Sequence, residues 1–306
     1  MKESYSHGKV LLSGEYLMTH GAVALAVPLR RGQYFQVTEG ADEGLVWQSY
    51  CNDQLCMEAR FSSSLGLLSS MDDERALLLA EILDKARRMS HKGDDFFNRK
   101  FVVTRIDFDP DWGFGNATTL IVNVSRWMGI DPFQLSAITK EASNYDIACV
   151  LSHHPILYCR EGHQPHVQQV TFCPGFADEL WFLFLGQGQM HSYRLGHDND
   201  YVTPDVRLVS RVSLLSHHMV SCGDASTFRA LMDEHERIVG EYIGETPVKQ
   251  RFFSDFVGSV KSLGLWGSDF ALVASDWEHA RISDYFANKG LDVLFPYREL
   301  VLNVES

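Results

Sequence analysis

The chain has 306 residues, with 27 Lys plus Arg against 40 Asp plus Glu, for a formal net charge of −13. Hydrophobic residues make up 45% and charged residues 22%, which excludes a disordered chain, collagen and a small disulfide scaffold and suits a globular protein long enough for two lobes. The acidic balance, without any basic block, argues against a nucleic-acid partner or an anionic membrane surface; small anionic substrates stay open, since a pocket needs only a few local cations.

In chain order, Val10 to Val27 reads as strand, turn, strand, punctuated by Gly14 and Gly21. Gln33 to Thr38 and Gly44 to Trp47 read as further strands. The first helix is predicted over about Asp73 to Met89, with Leu78, Ile82 and Met89 at helical spacing and Asp72 or Asp73 as its cap. Phe101 to Phe108 is a strand, followed by the glycine-bearing turn Asp111 to Asn116. A helix follows at once, with Leu120, Val124, Trp127 and Met128 on one face. Asp131-Pro132 opens the next helix, which breaks at Ser143 to Asp146. Strands are expected over Pro155 to Arg160, Val167 to Phe172 and Leu180 to Leu185. Helices at about Asp205 to Ser221, Ala225 to Ile243 and Phe252 to Leu263 come next. The strand Phe270 to Ala274, a helix at about Asp276 to Lys289 and a strand near Val293 complete the pattern. Ser275 with Glu278 reads as a capping box, and Gly290 as the stop of that last helix.

No apolar run approaches the roughly 20 residues of a membrane helix. The N-terminal segment lacks a signal-peptide pattern. The six cysteines (51, 56, 149, 159, 173 and 222) form no CxxC and read as reduced thiols. The expectation is a cytoplasmic protein without a membrane partner.

Three local features carry chemistry. WGFGNATT lies between a strand and a helix, so its unpaired N–H groups and the helix dipole suit phosphate. Gly113 and Gly115 permit close backbone approach, Asn116 reads as the helix cap, and Thr118 and Thr119 offer hydroxyls to phosphate or magnesium. The stretch is neither a Walker A loop nor GxGxxG, and by itself it reads equally well as a tight turn. Lys9 follows Gly8 in a polar segment, with Gly14-Glu15-Tyr16 after it; alone, it reads as a solvated lysine. Asp146 in SNYDIAC reads as a turn or cap residue, or as a general base near a substrate hydroxyl. The adjacent pairs His153-His154 and His217-His218 point apart and make no metal site. His235 shares its helix face with Leu231, Ile238 and Tyr242 and reads as a core histidine.

Read together, the three features resemble the GHMP kinases, the superfamily of galactokinase, homoserine kinase, mevalonate kinase and phosphomevalonate kinase. HGKVLLSGEYLMTHGAVALAVPL is similar to the family's first motif, WGFGNATT to its phosphate loop, and SNYDIACVLSHHPILY to the segment that bears the catalytic Asp. KSLGLWGSDFALV stands at the place of the C-terminal glycine-rich motif. The four come in family order and span nearly the whole chain, with the mevalonate-kinase-like branch, here bearing Tyr-Asp-Ile-Ala, most similar.

The resemblance implies an α+β chain with the two-lobed GHMP kinase fold, an N-terminal α+β lobe over 1–165 and a C-terminal ferredoxin-like lobe over 166–306. It implies a phosphotransferase that uses ATP and Mg2+ to phosphorylate a hydroxyl of a small molecule, mevalonate or a related hydroxy acid. Phosphomevalonate is the alternative acceptor, and a non-catalytic binding or regulatory protein on the same fold is the alternative class. By motif position, Asp146 is the catalytic base and Lys9 its partner. Gly113, Gly115, Asn116, Ala117, Thr118, Thr119, Gly264 and Gly267 would hold the nucleotide, and Glu15 and Tyr16 the substrate. Thr118 and Glu141 are the candidate magnesium ligands. A homodimer is the default assembly. The chain departs from the pattern at Asn116-Ala117, where the family has paired serines, at Tyr16, at the glycine-poor C-terminal motif, and at Ser143-Asn144-Tyr145, which lacks a glycine.

Overall fold

A computed structural model describes residues 1–140, 143–161, 164–186, 202–264 and 270–302. The strands are β1 (Lys2–Ser13), β2 (Ala24–Glu39), β3 (Leu45–Cys51), β4 (Gln54–Phe61), β5 (Leu67–Ser70), β6 (Lys100–Ile106), β7 (Ile156–Glu161), β8 (Gln164–Gln169), β9 (Leu180–Phe184), β10 (Ser259–Ser262), β11 (Phe270–Ala274) and β12 (Leu294–Pro296). The helices are α1 (Asp73–Ser90), α2 (Asn116–Met128), α3 (Pro132–Thr139), α4 (Asn144–Ser152), α5 (Val206–Ser221), α6 (Ala225–Ile243), α7 (Val248–Phe252), α8 (His279–Ala287) and α9 (Tyr297–Leu300). The mixed α+β class expected from the sequence is what forms.

The chain condenses into two compact units that are discontinuous in sequence. The first comprises Met1–Lys9 and Arg31–Leu151, the second Val10–Arg30 and Ser152–Ser306. The expected lobes were contiguous, with one cut between 165 and 166. The compact units cut β1 and β2 instead, because these long strands pair at different points along their length. Ala24, Leu25 and Ala26 of β2 pair with β7, whereas Gln33 to Glu39 pair with β6.

In the first unit the strand order is β5-β4-β3-β6-β2, with β3 and β6 parallel and the other pairs antiparallel. Phe35 and Val37 of β2 are buried while Tyr34 is exposed, the alternation of a sheet with one covered face. That face packs under α1, α2, α3 and α4 through Trp47, Phe61, Leu83, Val122, Trp127 and Ile147, among others. Asp72 caps α1 by accepting from Arg75 N–H, and Asp131 caps α3 with Pro132 at its first position, both as expected. The buried face of α1 is Ala76, Leu79, Ile82, Leu83 and Ala86; Leu78, placed inward from sequence, is 43% exposed.

In the second unit β9, α5 and α6, β10, β11, α8 and β12 succeed one another as βαββαβ. The antiparallel order β10-β11-β9-β12 is that of a ferredoxin-like sheet. Its core includes Trp181, Leu183, Phe253, Ala271, Val273 and Phe286. The helix expected over Phe252 to Leu263 does not form. A short α7 ends at Phe252, and Ser259–Ser262, buried at every position, is a strand against β11. A short buried strand and a helix share the same apolar signal, so periodicity alone does not separate them. Ser275 forms a turn rather than the expected capping box: it accepts from Trp277 N–H, and α8 starts at His279 with no side-chain cap. No described helix is long and apolar enough to cross a membrane.

Gly44 shows where the backbone leaves no room. It stands before β3 at φ +82°, and a Cβ there would lie 2.1 Å from the Phe61 carbonyl oxygen. Gly44→Ala is expected to destabilise the fold by about 2 kcal/mol or more in thermal or urea unfolding. Gly93→Ala is the control, because nothing lies within 4 Å of its added Cβ. Equal stability of the two variants would show that the Gly44 turn is not tight.

Candidate active site

The site of the first unit is built on β1, the turn before α2, and the first turn of α4. The Lys9 backbone N–H donates to the Phe114 carbonyl at 3.0 Å, which ties β1 to the glycine turn. The Lys9 ammonium lies 2.8 Å from Asp146 Oδ1 and donates to the Gly113 carbonyl at 3.4 Å. Its Nζ also sits 5.6 Å from the centre of the Tyr145 ring. Gly115 takes φ +96°, and a Cβ there would come within 3.2 Å of Lys9 Cε. A side chain at 115 would therefore crowd the lysine as well as strain the turn.

Asp146 is held by a reciprocal cap. Ser143 Oγ donates to its Oδ2 at 2.7 Å, Ser143 N–H reaches the same oxygen at 3.3 Å, and Asp146 N–H returns to Ser143 Oγ at 3.5 Å. This is a capping box, S-x-x-D, so the expected break at Ser143 to Asp146 is in fact the start of α4. One carboxylate oxygen is thus engaged by the helix start and the other by Lys9. Each side chain of the pair is 12% exposed, so the pair is shielded yet reachable. Burial pushes the Lys9 ammonium down, but the Asp146 carboxylate outweighs it and the net pKa stands above the ordinary lysine value. Burial, reinforced by Asp146, raises the Tyr145 phenol, and burial raises the Cys149 thiol.

Gly115, not Asn116, is the N-cap residue of α2; Asn116 is the first helical residue and makes no cap bond. The first helical bond runs from Thr119 N–H to the Gly115 carbonyl. The N–H groups of Asn116, Ala117 and Thr118 therefore precede the ladder, the arrangement that suits an anion. Thr118 and Thr119 are buried, and Thr119 Oγ1 donates to the Asn116 carbonyl. Beside this helix end the first unit holds a cavity of about 380 Å³. Its walls include Trp47 and Tyr50 of β3, Met57 of β4, Leu79 of α1, and Asn116 and Ala117 of α2. Cys51 and Cys56 line it too and form a disulfide, so the reading of six reduced thiols is corrected for these two. A two-residue turn at Asn52-Asp53, both at positive φ, and a bulge after Ser49 bring the two cysteines together.

The other expected site residues lie in the second unit or outside the description. Glu15 is buried at 3% exposure, its Oε1 2.5 Å from Lys261 Nζ. Its Oε2 lies 3.3 Å from His235 Nε2. Gly14 N–H donates to that nitrogen at 2.9 Å, so it carries a lone pair and the imidazole is neutral. Burial, with Lys261 adding to it, holds His235 well below the usual histidine range; burial raises Glu15 against the pull of Lys261. His235 is the core residue its helix pattern implied, with Nε2 bonded and Nδ1 buried without a hydrogen-bond partner among the described residues. Tyr16 is half-buried at φ 61°, and Gly264 takes φ 71°. Gly267 and Glu141 lie outside the described residues. Sequence reasoning missed Ser143, which is exposed, and the buried polar groups Gln33, Asn123, Lys261 and Glu236. Of these, only Ser143 had a local signal, its spacing from Asp146.

No protein-family model and no curated protein matches the sequence. Solved structures do match in fold. Mevalonate kinase of L. major in complex with R-mevalonate aligns at TM-score 0.64 and 14% identity, over 95% of this chain and 92% of that one. Streptococcus pneumoniae phosphomevalonate kinase in complex with phosphomevalonate and AMPPNP aligns at 0.64 and 13%, over 96% and 98%. A D-glycero-D-manno-heptose 1-phosphate kinase from Bacteroides thetaiotaomicron aligns at 0.64 and 12%, over 98% and 95%. The fold is the GHMP kinase fold that these proteins share.

Glu236 supplies a pH-dependent test of the second unit. Burial raises its carboxyl to about 7 from an ordinary value of 4.5, against the pull of Lys261 and of donors from Val248 and Ser262. A carboxyl raised on folding favours the fold while protonated. Its contribution is complete below about pH 4.5 and is lost as pH rises through about 7. Wild type should therefore lose thermal stability relative to Glu236→Gln as pH rises from about 5 to 8. A difference in Tm that stays constant across that range would show no linkage at Glu236.

Proposed function

We propose that the chain is an ATP-dependent kinase that transfers a phosphoryl group to a hydroxyl of a small anionic substrate, with mevalonate first and phosphomevalonate second among acceptors. The observation that carries the reading is the shielded Lys9–Asp146 pair at 2.8 Å beside the glycine turn that opens α2. Binding an anion needs no such carboxylate, and indeed a negative group there opposes it. Deprotonating a hydroxyl does need one.

The nucleotide fits the residues present. Gly115 leaves space beside Lys9, the first N–H groups of α2 face no helical partner, and the adjoining cavity of about 380 Å³ accommodates a base and sugar. ATP supplies the transferable phosphoryl group. Magnesium is less well provided for: Ala117 offers no side-chain donor, Thr118 is buried, and no group of three or more His, Cys, Asp or Glu side chains gathers among the described residues. A cation there would rely chiefly on phosphate oxygens.

Asp146, paired with Lys9 and fixed by Ser143, takes the proton of the acceptor hydroxyl. Lys9 pairs with Asp146 and offsets negative charge developing on the phosphoryl oxygens. The α2 N–H groups orient the phosphate chain. Phosphoryl transfer needs little covalent assistance, so positioning and charge neutralisation carry the rate. The acceptor preference rests on the context of the first motif, Thr19 to Leu29, for mevalonate, and on Gly14-Glu15-Tyr16 with the Tyr145-Asp146 segment for phosphomevalonate.

The test is ADP release from ATP and Mg2+ in parallel assays with mevalonate, phosphomevalonate, homoserine and galactose. Stimulation by one acceptor is expected, and Asp146→Asn should lower turnover by at least about a hundredfold while ATP binding by calorimetry persists. Full turnover in Asp146→Asn would remove the base from the mechanism. ATP binding without turnover on any acceptor would favour the non-catalytic alternative.

A further inference from the structure

A buried chain of amide groups leads to Asn116. Asn123 sits two turns along α2 from Asn116 and is fully buried, as is nearly all of Gln33 on β2. Asn123 Oδ1 accepts from Ser4 Oγ at 2.9 Å and Ser6 Oγ at 2.8 Å. Asn123 Nδ2 donates to the Gln33 carbonyl at 3.4 Å and to Gln33 Oε1 at 3.3 Å. Gln33 Nε2 donates to Asn116 Oδ1 at 3.2 Å.

An amide side chain can ordinarily be turned end for end. The Asn123 amide cannot, because the groups around its two ends fix their polarity. The Gln33 backbone carbonyl can only accept, so the end of Asn123 facing it must be its NH2. Arg126 Nη1, which can only donate, occupies one lone pair of Ser6 Oγ at 3.0 Å, consistent with the Ser6 proton going to the oxygen of Asn123. With Asn123 set, its NH2 meets the oxygen of Gln33, and the Gln33 NH2 must then meet the oxygen of Asn116. The Asn116 NH2 is left turned away from Gln33, with no other partner among the described residues.

We propose that this relay turns the exposed Asn116 amide so that its NH2 donates to an anionic phosphoryl oxygen of the nucleotide, with Gln33 and Asn123 as positioning residues. The assignment rests on the kinase reading and deepens it, at the position where the family motif has serine. A serine hydroxyl rotates between donor and acceptor; an amide whose oxygen accepts from Gln33 presents its NH2 on the other side. Gln33 and Asn116 both line the cavity beside the glycine turn, so the locked amide stands where a nucleotide would enter.

Calorimetric titration with ATP, ADP and adenosine separates phosphate recognition from base recognition. Asn116→Ala removes the donors without adding charge and should weaken ATP and ADP by about tenfold while leaving adenosine within about twofold. Asn116→Asp keeps an oxygen toward Gln33 and turns the other toward the phosphates, so it should weaken ATP by more than Asn116→Ala does. Gln33→Glu reverses the end facing Asn116 and draws its NH2 inward. It should give the same selective loss with Asn116 unchanged, while neutral Gln33→Met, which merely unlocks the amide, should give a smaller one. Unfolding curves of each variant report whether the fold persists, and the ratio of ATP to adenosine affinity is read on the folded fraction.

Wild-type ATP binding with Asn116→Ala and Asn116→Asp unchanged overturns this assignment and leaves the kinase reading standing. Equal loss of ATP and adenosine also overturns it, by showing a structural role only. A wild-type chain that binds neither ATP nor ADP overturns both readings together.

Discussion

The first unit is organised around a charged pair taken most of the way out of water. Lys9 and Asp146 come from segments far apart in sequence, and each side chain keeps only 12% of its exposure. Either charge alone at that depth would cost several kcal/mol. The pair therefore constrains what surrounds it. β1 must carry the lysine to the glycine turn, residue 115 must lack a side chain, and α4 must begin at Ser143 so that the aspartate is presented at its first turn. Each of these is met by a separate local feature: the Lys9 N–H bond to Phe114, φ +96° at Gly115, and the Ser143–Asp146 box.

The second unit holds a comparable pair with a different consequence. Glu15 and Lys261 are 3% and 2% exposed, with neutral His235 against them and Glu236 nearby. A pair so closed offers no route for a substrate proton. Its evident effect is to fix the Gly14-Glu15-Tyr16 segment, because His235 takes the Gly14 N–H and Lys261 takes the Glu15 carboxylate. The two ion pairs thus divide by access: Lys9 and Asp146 each keep 12% exposure, against 2% and 3% for Lys261 and Glu15.

What was legible in the sequence was local. Asp72 and Asp131 announced α1 and α3 because a cap acts on backbone groups two or three residues away. The glycine turn was legible between a strand and a helix, whereas the ferredoxin-like order came through resemblance, since no single spacing specifies it. β10 was misread because Val260 and Leu263 suit a helix as well as a strand, and only pairing with β11 decides. The hairpin of β3 and β4 did carry a turn signal in Asn52-Asp53, and its bulge is what brings Cys51 to Cys56. The site's polar supports were illegible for a different reason. Gln33 bonds to Asn123 at a separation of 90 residues and to Asn116 at 83, and no window along the chain contains both ends.

That distance also bears on Asn116-Ala117, where the chain leaves the family pattern. Taken by itself, an asparagine in place of serine looks like decay of a phosphate loop. In the folded chain it is one end of a satisfied polar series in which Ser4, Ser6, Asn123 and Gln33 each find partners of the right polarity. Buried polar groups that were merely inherited and no longer coupled would be left unsatisfied, which costs on the order of 1–3 kcal/mol each. A series this complete ties residue 116 to the interior of the unit. The residue at the head of α2 is therefore set by the core beneath it as well as by whatever binds above it, and replacing Asn116 with the family's serine would strand the Gln33 amide rather than restore a lost function.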